Sequence, residues 1–232
     1  MPSEFPRRPK IIKGALIKLS EEFLGPVPNI ILFQFNPEKI SRTISGLESK
    51  MGKKRSGEQT SAQPEDPGEK LSFSLEFDAA DMLDEPETHP VAVISGVADR
   101  IAALELLLYP AGTGDIGQLA TFSTGQGKTL PRKSVPIVLF VWGSGRIVPV
   151  RLTEFRVEEE AYSTTLYPIK ATVTVTLQIL TEKALTDIGR NKSTGEKLAI
   201  EAYKYTIAQK ELLAKANLAN SAESILGMIP FL

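Results

Sequence analysis

The sequence predicts a mainly β domain that carries one amphipathic helix and a C-terminal helical extension. Three observations support this prediction. Large apolar side chains alternate with polar ones over residues 71–77 and 169–179, apolar residues recur every three or four positions after Pro90, and a long helix-forming stretch follows Ser193. The chain has 232 residues, of which 42% are apolar and 24% charged. This length and composition are typical of a globular protein with a sizeable core.

The first third of the chain predicts strands and a long loop. Residues 11–19 and 28–35 are predicted strands, separated by turn-forming glycine and proline, and a further extended piece follows up to Ile44. Residues 46–70 are polar and lack an apolar period, which predicts a loop. In the next strand four apolar side chains share one face, and burying each stabilises the fold by roughly 1.5–3 kcal/mol.

The amphipathic helix is predicted to begin at residues 88–90, where proline occupies the first turn. Tyr109 and Pro110 end it, because the residue before a proline disfavours helix. A second loop is predicted over residues 110–132. The apolar face of this helix consists of Ile94, Val97, Ile101, Leu104 and Leu108.

Residues 135–179 are predicted to form antiparallel strands. Residues 135–142 form an apolar run that ends at a glycine-rich tight turn, residues 143–145. Residues 146–157 return, and their apolar register slips by one residue, which predicts a β-bulge near Thr153 and Glu154. The last strand, residues 169–179, has a threonine-rich face that is expected to meet water or a polar channel.

The tail predicts one long helix. Ser193 and Glu196 have the spacing of a capping box, and helix-forming residues continue to about Leu226. We therefore divide the chain into a β domain, residues 1–182, and a helical extension, residues 183–232. Apolar residues spaced seven apart form a stripe that needs a partner surface: the β domain itself, a neighbouring subunit or another helix. The stripe comprises Leu198, Tyr205, Leu212, Ala219 and Leu226.

Composition argues against most kinds of catalysis. The chain has no cysteine, which excludes a thiolate nucleophile, a cysteine-bound metal and disulfides, and its only histidine is His89. The G-x-G-x-x-G match at residues 112–117 follows a predicted helix instead of a strand, so we interpret it as a loop. The Gly127-Lys128-Thr129 run lacks the earlier glycine of a phosphate-binding loop. We expect no catalytic residue, no metal and no cofactor.

Charge argues against nucleic acid as a partner. The formal net charge is −1, and the short basic run at residues 50–55 has no interleaved aromatic residues. No stretch is apolar enough to suggest a secretory leader or membrane insertion, so we expect synthesis in the cytoplasm. A small-ligand-binding β-barrel and a hydrolase with a carboxylate pair assembled in space stay open as alternatives.

One ordered set of segments resembles a known family. It begins with Phe33-Gln34-Phe35-Asn36-Pro37 and continues with residues 71–78, which include Phe73 and Phe77. The amphipathic helix, the run ending in Trp142 and Gly143, and the strands around Phe155 and residues 168–173 follow. Over about residues 10–182 this order resembles the tube-type domain of contractile injection systems, in the protein that links the inner tube to the central spike.

The resemblance implies an antiparallel β-sandwich or barrel with one flanking helix, assembled into a hexameric ring. It implies a structural role as a baseplate adaptor, or tube initiator, whose partners are other copies of itself, the spike protein, the inner tube protein and other baseplate subunits. Members of the family often carry a peptidoglycan-binding LysM module; the sequence predicts none within these 232 residues, in which a helical tail follows Ser193 instead. We expect the tail to dock on a baseplate subunit through Leu198, Tyr205, Leu212, Leu226, Ile229 and Phe231.

Overall fold

A computed structural model describes residues 12–19, 30–46, 66–110, 135–186 and 192–228, the side chains of the last range only up to residue 218. In chain order its elements are β1 (Ala15–Leu19), β2 (Ile30–Leu32), β3 (Ser41–Ser45), β4 (Gly68–Asp78), α1 (Ala80–Leu83), α2 (Pro90–Ser95), α3 (Ala98–Glu105), β5 (Ile137–Val141), β6 (Ile147–Tyr162), β7 (Pro168–Ile179), α4 (Glu182–Thr186) and α5 (Thr194–Met228). The predicted class, mainly β with α, is confirmed.

All seven strands belong to one antiparallel sheet, in the order β2-β1-β5-β6-β7-β4-β3. The resemblance implied a sandwich or a barrel, and the structure has one sheet whose two ends face each other. The ring of Phe33, directly after β2, lies 5.8 Å from the ring of Phe73 on β4, near the opposite edge. The sheet therefore curves around a single core.

The two faces of the sheet differ in composition. The concave face and α3 form the main core, in which Leu71, Leu75, Phe77 and Val173 are almost fully buried. On the other face, β1 and β5 are apolar and are covered by α4 and α5, which form a second cluster around Leu139 and Leu185. On the same face β4, β6 and β7 present mainly polar side chains, among them Ser74, Glu154 and Thr174.

Most predicted strands are confirmed, but β6 ends later and β4 begins earlier than the sequence predicted. The predicted β-bulge is present as a register shift between Leu152 and Glu154. Strand β6 continues to Tyr162, well past the predicted end at residue 157. Strand β4 begins at Gly68, because residues 68–70 pair with β3, so the predicted loop 46–70 is wrong at its end. The rest of that loop, residues 47–65, and the predicted loop 110–132 after Pro110 lie outside the described residues.

The predicted single helix over residues 90–108 is wrong. It starts at Pro90 as predicted, but Gly96 breaks it into α2 and α3. The short helix α1, which the sequence did not predict, precedes it. The break brings the chain against β7, where the Val97 N–H donates to Pro168 O over 2.9 Å. Ile94, before the break, is 69% exposed, whereas Val97, Ile101 and Leu104 are buried.

The long C-terminal helix is confirmed. Ser193 and Glu196 make the predicted capping box: the Ser193 N–H donates to Glu196 Oε2 over 2.8 Å, and the Glu196 N–H donates to Ser193 Oγ over 3.2 Å. Helix α5 then runs to Met228. No helix in the described ranges is long and apolar enough to cross a membrane.

Candidate functional site

The Phe-Gln-Phe-Asn-Pro segment, residues 33–37, joins both ends of the sheet. Phe33 is 1% exposed and its ring lies within 6.4 Å of the rings of Phe140 and Trp142, besides that of Phe73. We call Phe33, Phe73, Phe140 and Trp142 the aromatic cluster. Because its members come from the β1–β5 end and from β4, the cluster holds the curved sheet closed.

Gly14 makes room for the aromatic cluster, and sequence reasoning missed it. A Cβ atom at this position would lie 2.7 Å from the rings of both Phe33 and Trp142. The Gly14 carbonyl also accepts the Phe33 N–H over 2.9 Å. A lone glycine before a predicted strand gives no sequence indication of such close packing.

Gln34 takes the place of a strand residue beside β4. Its side-chain Nε2 donates to Asp78 O over 2.6 Å, and its Oε1 accepts the Asp78 N–H over 3.1 Å. Oε1 also accepts a short hydrogen bond from Arg100 on α3. One amide therefore connects the segment after β2, the end of β4 and the helix layer.

Asn36 hydrogen-bonds to the residues that precede β1. Its Oδ1 accepts the Gly14 N–H over 2.8 Å, and its Nδ2 donates to Ile12 O over 2.9 Å. Gly143 has a φ of +67°, which suits the tight turn between β5 and β6 and favours glycine there. Gln34 and Asn36, the polar members of the segment, thus make structural hydrogen bonds.

Phe35 differs from the rest of the segment because it is 48% exposed. With Pro37 it lines an open groove, and most of the lining residues outside residues 35–39 belong to β4. We call this depression the β4 groove. Its lining consists of residues 35–39 together with Ser41, Ser72, Phe73, Ser74, Glu76 and Thr174.

The polar face of the sheet contains its own hydrogen bonds. Ser74 and Thr174 join across β4 and β7 over 3.0 Å, and the buried Thr176 donates to Glu154 Oε2 over 3.0 Å. The threonines therefore stabilise strand pairing on a face that stays open to solvent. No group of three or more histidine, cysteine or carboxylate side chains capable of holding a metal occurs in the described part of the chain.

Helix α5 is attached to the sheet by its first half. Ala199, Ile200 and Ala202 are buried against the β1–β5 face. Tyr205 donates its hydroxyl to Ser144 O over 2.9 Å. Lys210 Nζ lies 2.9 Å from Glu69 on β4, a carboxylate that also pairs with Arg42 on β3. The helix thus contacts both halves of the sheet.

Thr206 hydrogen-bonds to the main chain at the start of β6, before the pairing of β6 with β7 begins. Its hydroxyl donates to Ile147 O over 2.8 Å and accepts the Ile147 N–H over 3.2 Å. Thr206 is only 3% exposed, so water cannot replace these bonds.

We expect Thr206→Val to lower the free energy of unfolding by about 1–3 kcal/mol, because valine keeps the shape but leaves both Ile147 groups without a partner. Urea unfolding measures the change. Thr174→Val is the matched control, since its hydroxyl lies on the half-open polar face; its effect should stay within about 0.5 kcal/mol. Equal effects of the two variants would contradict the proposed role of Thr206.

Tyr203 anchors the same helix beside the main core. Its hydroxyl donates to Asp66 Oδ2 over 2.8 Å. Burial, and then the hydrogen bond to Asp66, raise the pKa of Tyr203 well above its usual value.

The raised pKa of Tyr203 predicts a pH dependence. Its contribution to stability is fully present below the ordinary tyrosine pKa of about 10 and is lost as the pH rises above it, because only the unfolded chain then ionises readily. An alkaline titration followed by tyrosinate absorbance should show one tyrosine ionising after the others in wild type. Tyr203→Phe should remove that late step; its persistence in the variant would contradict the assignment.

The predicted docking residues of the tail lie apart from the buried face of α5. Leu198, Tyr205 and Leu212 are 39%, 42% and 57% exposed, respectively. Leu226 belongs to the helix but its side chain is not described, and Ile229 and Phe231 lie outside the described residues. From residue 211 to residue 218 every side chain is exposed, so these eight residues bury no side chain against the described domain.

Comparison with known proteins adds one finding. A family model described as contractile injection system tube protein matches residues 17–186. The match covers every strand from within β1 onwards, the aromatic cluster and the β4 groove, and ends before α5. No curated protein matches the chain.

Proposed function

The chain belongs to the contractile injection system tube protein family, and from this premise we propose that it is the adaptor, or tube initiator, between the central spike and the inner tube. As a member of this family it is a structural component of a contractile injection system and part of the assembled particle. A structural family also suggests that the protein is not an enzyme. The match over residues 17–186 carries the family membership, and helix α5, which lies beyond the match, is the observation that favours the adaptor role.

The sheet supports assembly into a ring. Among the described residues its two edge strands, β2 and β3, each pair with one strand only, and most of their residues are exposed. Ile30 and Leu32 of β2 are 57% and 62% exposed, which is unusual for an edge left to solvent. Joining the edges of neighbouring copies would cover them, and a closed head-to-tail arrangement gives a ring, for which we propose six copies.

The tail supports the adaptor role over that of an ordinary tube subunit. Helix α5 lies beyond the matched residues, and its residues 211–218 are exposed, among them Leu212, Leu213 and Leu218. We propose that it docks on the spike or another baseplate subunit through Leu198, Tyr205, Leu212, Leu226, Ile229 and Phe231. The mechanism is mechanical: a ring fixed on the spike would template the first layer of the inner tube. We propose that the chain is made in the cytoplasm and then joins the particle.

Native mass measurement tests this proposal. We expect the purified chain to form a ring, or to form a defined complex when co-expressed with the spike and inner tube proteins of its own gene neighbourhood. The mass gives the number of copies. A chain that stays monomeric with both partners present would contradict the adaptor role and would favour a ligand-binding or hydrolytic function.

A further inference from the structure

The hydrogen bonds of β4 show which of its main-chain N–H and C=O groups point toward β7 and which point toward the groove. The Ala79 N–H donates to Ile169 O of β7 over 2.9 Å. In an antiparallel ladder, alternate residues point their N–H and C=O groups to opposite sides. Odd-numbered residues of β4 therefore bond to β7, and even-numbered ones point away from it. Asp78 agrees with this parity, because Gln34 bonds both of its main-chain groups from the other side.

The outer side of β4 is consequently occupied at both ends and open between them. At one end Ser72 pairs with Ser41, the first residue of β3. At the other end the side-chain amide of Gln34 bonds to the main-chain N–H and C=O of Asp78. Ser74 and Glu76 lie between, and within the described residues their main-chain groups have no hydrogen-bond partner on that side. Residues 36–40 are not part of a strand, and residues 36–39 line the β4 groove together with Ser74 and Glu76.

The walls of the groove suit an extended polypeptide. Phe35 and Pro37 supply an apolar surface on one side, and Phe35 is half exposed although it is a large aromatic residue. Carboxylates outnumber cations in the lining, with Glu38 and Glu76 against Lys39. Nucleic acid and anionic headgroups are poor fits for such a site.

We propose that the β4 groove binds an extended, basic segment of another polypeptide chain, which adds to β4 as a short strand. A strand offers main-chain N–H and C=O groups at every second residue, which is the spacing from Ser74 to Glu76. Its basic side chains lie beside Glu38 and Glu76, and its apolar ones lie against Phe35. The inference goes beyond the ring and does not depend on it, because the groove is complete within one chain.

Two synthetic heptapeptides test the proposal on the full chain: one alternates lysine with valine, and its match has glutamate in place of lysine. Fluorescence anisotropy measures binding, and amide hydrogen exchange reports on β4. We expect saturable binding of the lysine peptide, with slower exchange of the Ser74 and Glu76 amides. Exchange at Leu75 should not change, because its amide already bonds to β7.

Three controls separate strand addition from general charge attraction. A lysine peptide methylated on its backbone nitrogens keeps its charge but cannot donate, and should bind at least about tenfold more weakly. Glu76→Lys, and independently Glu38→Lys, should weaken the unmethylated peptide by about tenfold or more. Glu105→Lys changes an exposed glutamate on α3 and should leave binding unchanged.

The proposal is overturned if the methylated peptide binds as tightly as the unmethylated one, or if neither glutamate variant weakens binding. Tighter binding of the glutamate peptide would show that the groove takes an acidic occupant and would overturn it as well. Circular dichroism of each variant confirms the fold, and the independent change at Glu38 keeps the test valid if Glu76→Lys does not fold. A ring that forms without peptide binding would refute this inference alone.

Discussion

Phe33→Ala is expected to lower the free energy of unfolding by about 3–5 kcal/mol, the usual cost of removing a buried phenylalanine ring. Phe33 is 1% exposed and contacts three other aromatic rings. Two of these rings belong to β5 and the residue after it, and the third belongs to β4, so the cavity would open where the ends of the sheet meet. Urea unfolding measures the loss, with the slope against denaturant checked for two-state behaviour.

Phe35→Ala provides a control within the same segment. It deletes the same side chain, but Phe35 is 48% exposed and lies on the groove wall, so we expect a loss below about 1 kcal/mol. A loss of similar size in both variants would show that Phe33 does not hold the sheet closed. A large loss of unfolding free energy in Phe33→Ala alone would show that these two neighbouring phenylalanines have different roles.

The strands were predictable because their signal is local. In β4 and β7 every second side chain is buried, and burial of one face is enough to impose period two on the sequence. The bulge near Glu154 was predictable for the same reason, since an extra residue shifts the apolar register. The capping box of α5 likewise depends only on residues three positions apart.

Features that depend on distant contacts were not predictable in this way. The role of Gln34 as a substitute strand requires Asp78, which is 44 positions away in sequence. Arg100 and Gly14 also act on this segment from other elements. No local pattern in the sequence indicates such pairs, so the β4 groove became visible only in the structure.

The helical stripe of the tail shows where a pattern was only partly informative. Spacing by seven selected Leu198, Tyr205 and Leu212, yet the helix packs on the sheet with Ala199, Ala202 and Thr206. Small residues allow close approach of helix and sheet, and Thr206 adds two hydrogen bonds. Leu198, Tyr205 and Leu212 therefore stay partly exposed, which is compatible with the proposed docking role.

Gly96→Ala is the second change for which we expect a large effect, about 3 kcal/mol or more of lost stability, from a disallowed backbone conformation and a steric clash. Gly96 has φ +57° and ψ −119°, a region that residues with a Cβ rarely adopt. A Cβ there would also lie 2.1 Å from Pro168 O. That oxygen accepts the Val97 N–H, so relieving the clash would separate the helix layer from β7.

Gly68→Ala is the matched control for Gly96→Ala, because a Cβ at Gly68 would meet nothing within 4 Å and no positive φ is required there. We expect its effect on urea unfolding to be within about 1 kcal/mol, in either direction. If Gly96→Ala were equally mild, the break between α2 and α3 would not be needed and one continuous helix, as the apolar spacing predicts, would be compatible with the fold. A large loss confined to Gly96 would instead mean that the contact with β7 imposes the break on a sequence that otherwise favours helix.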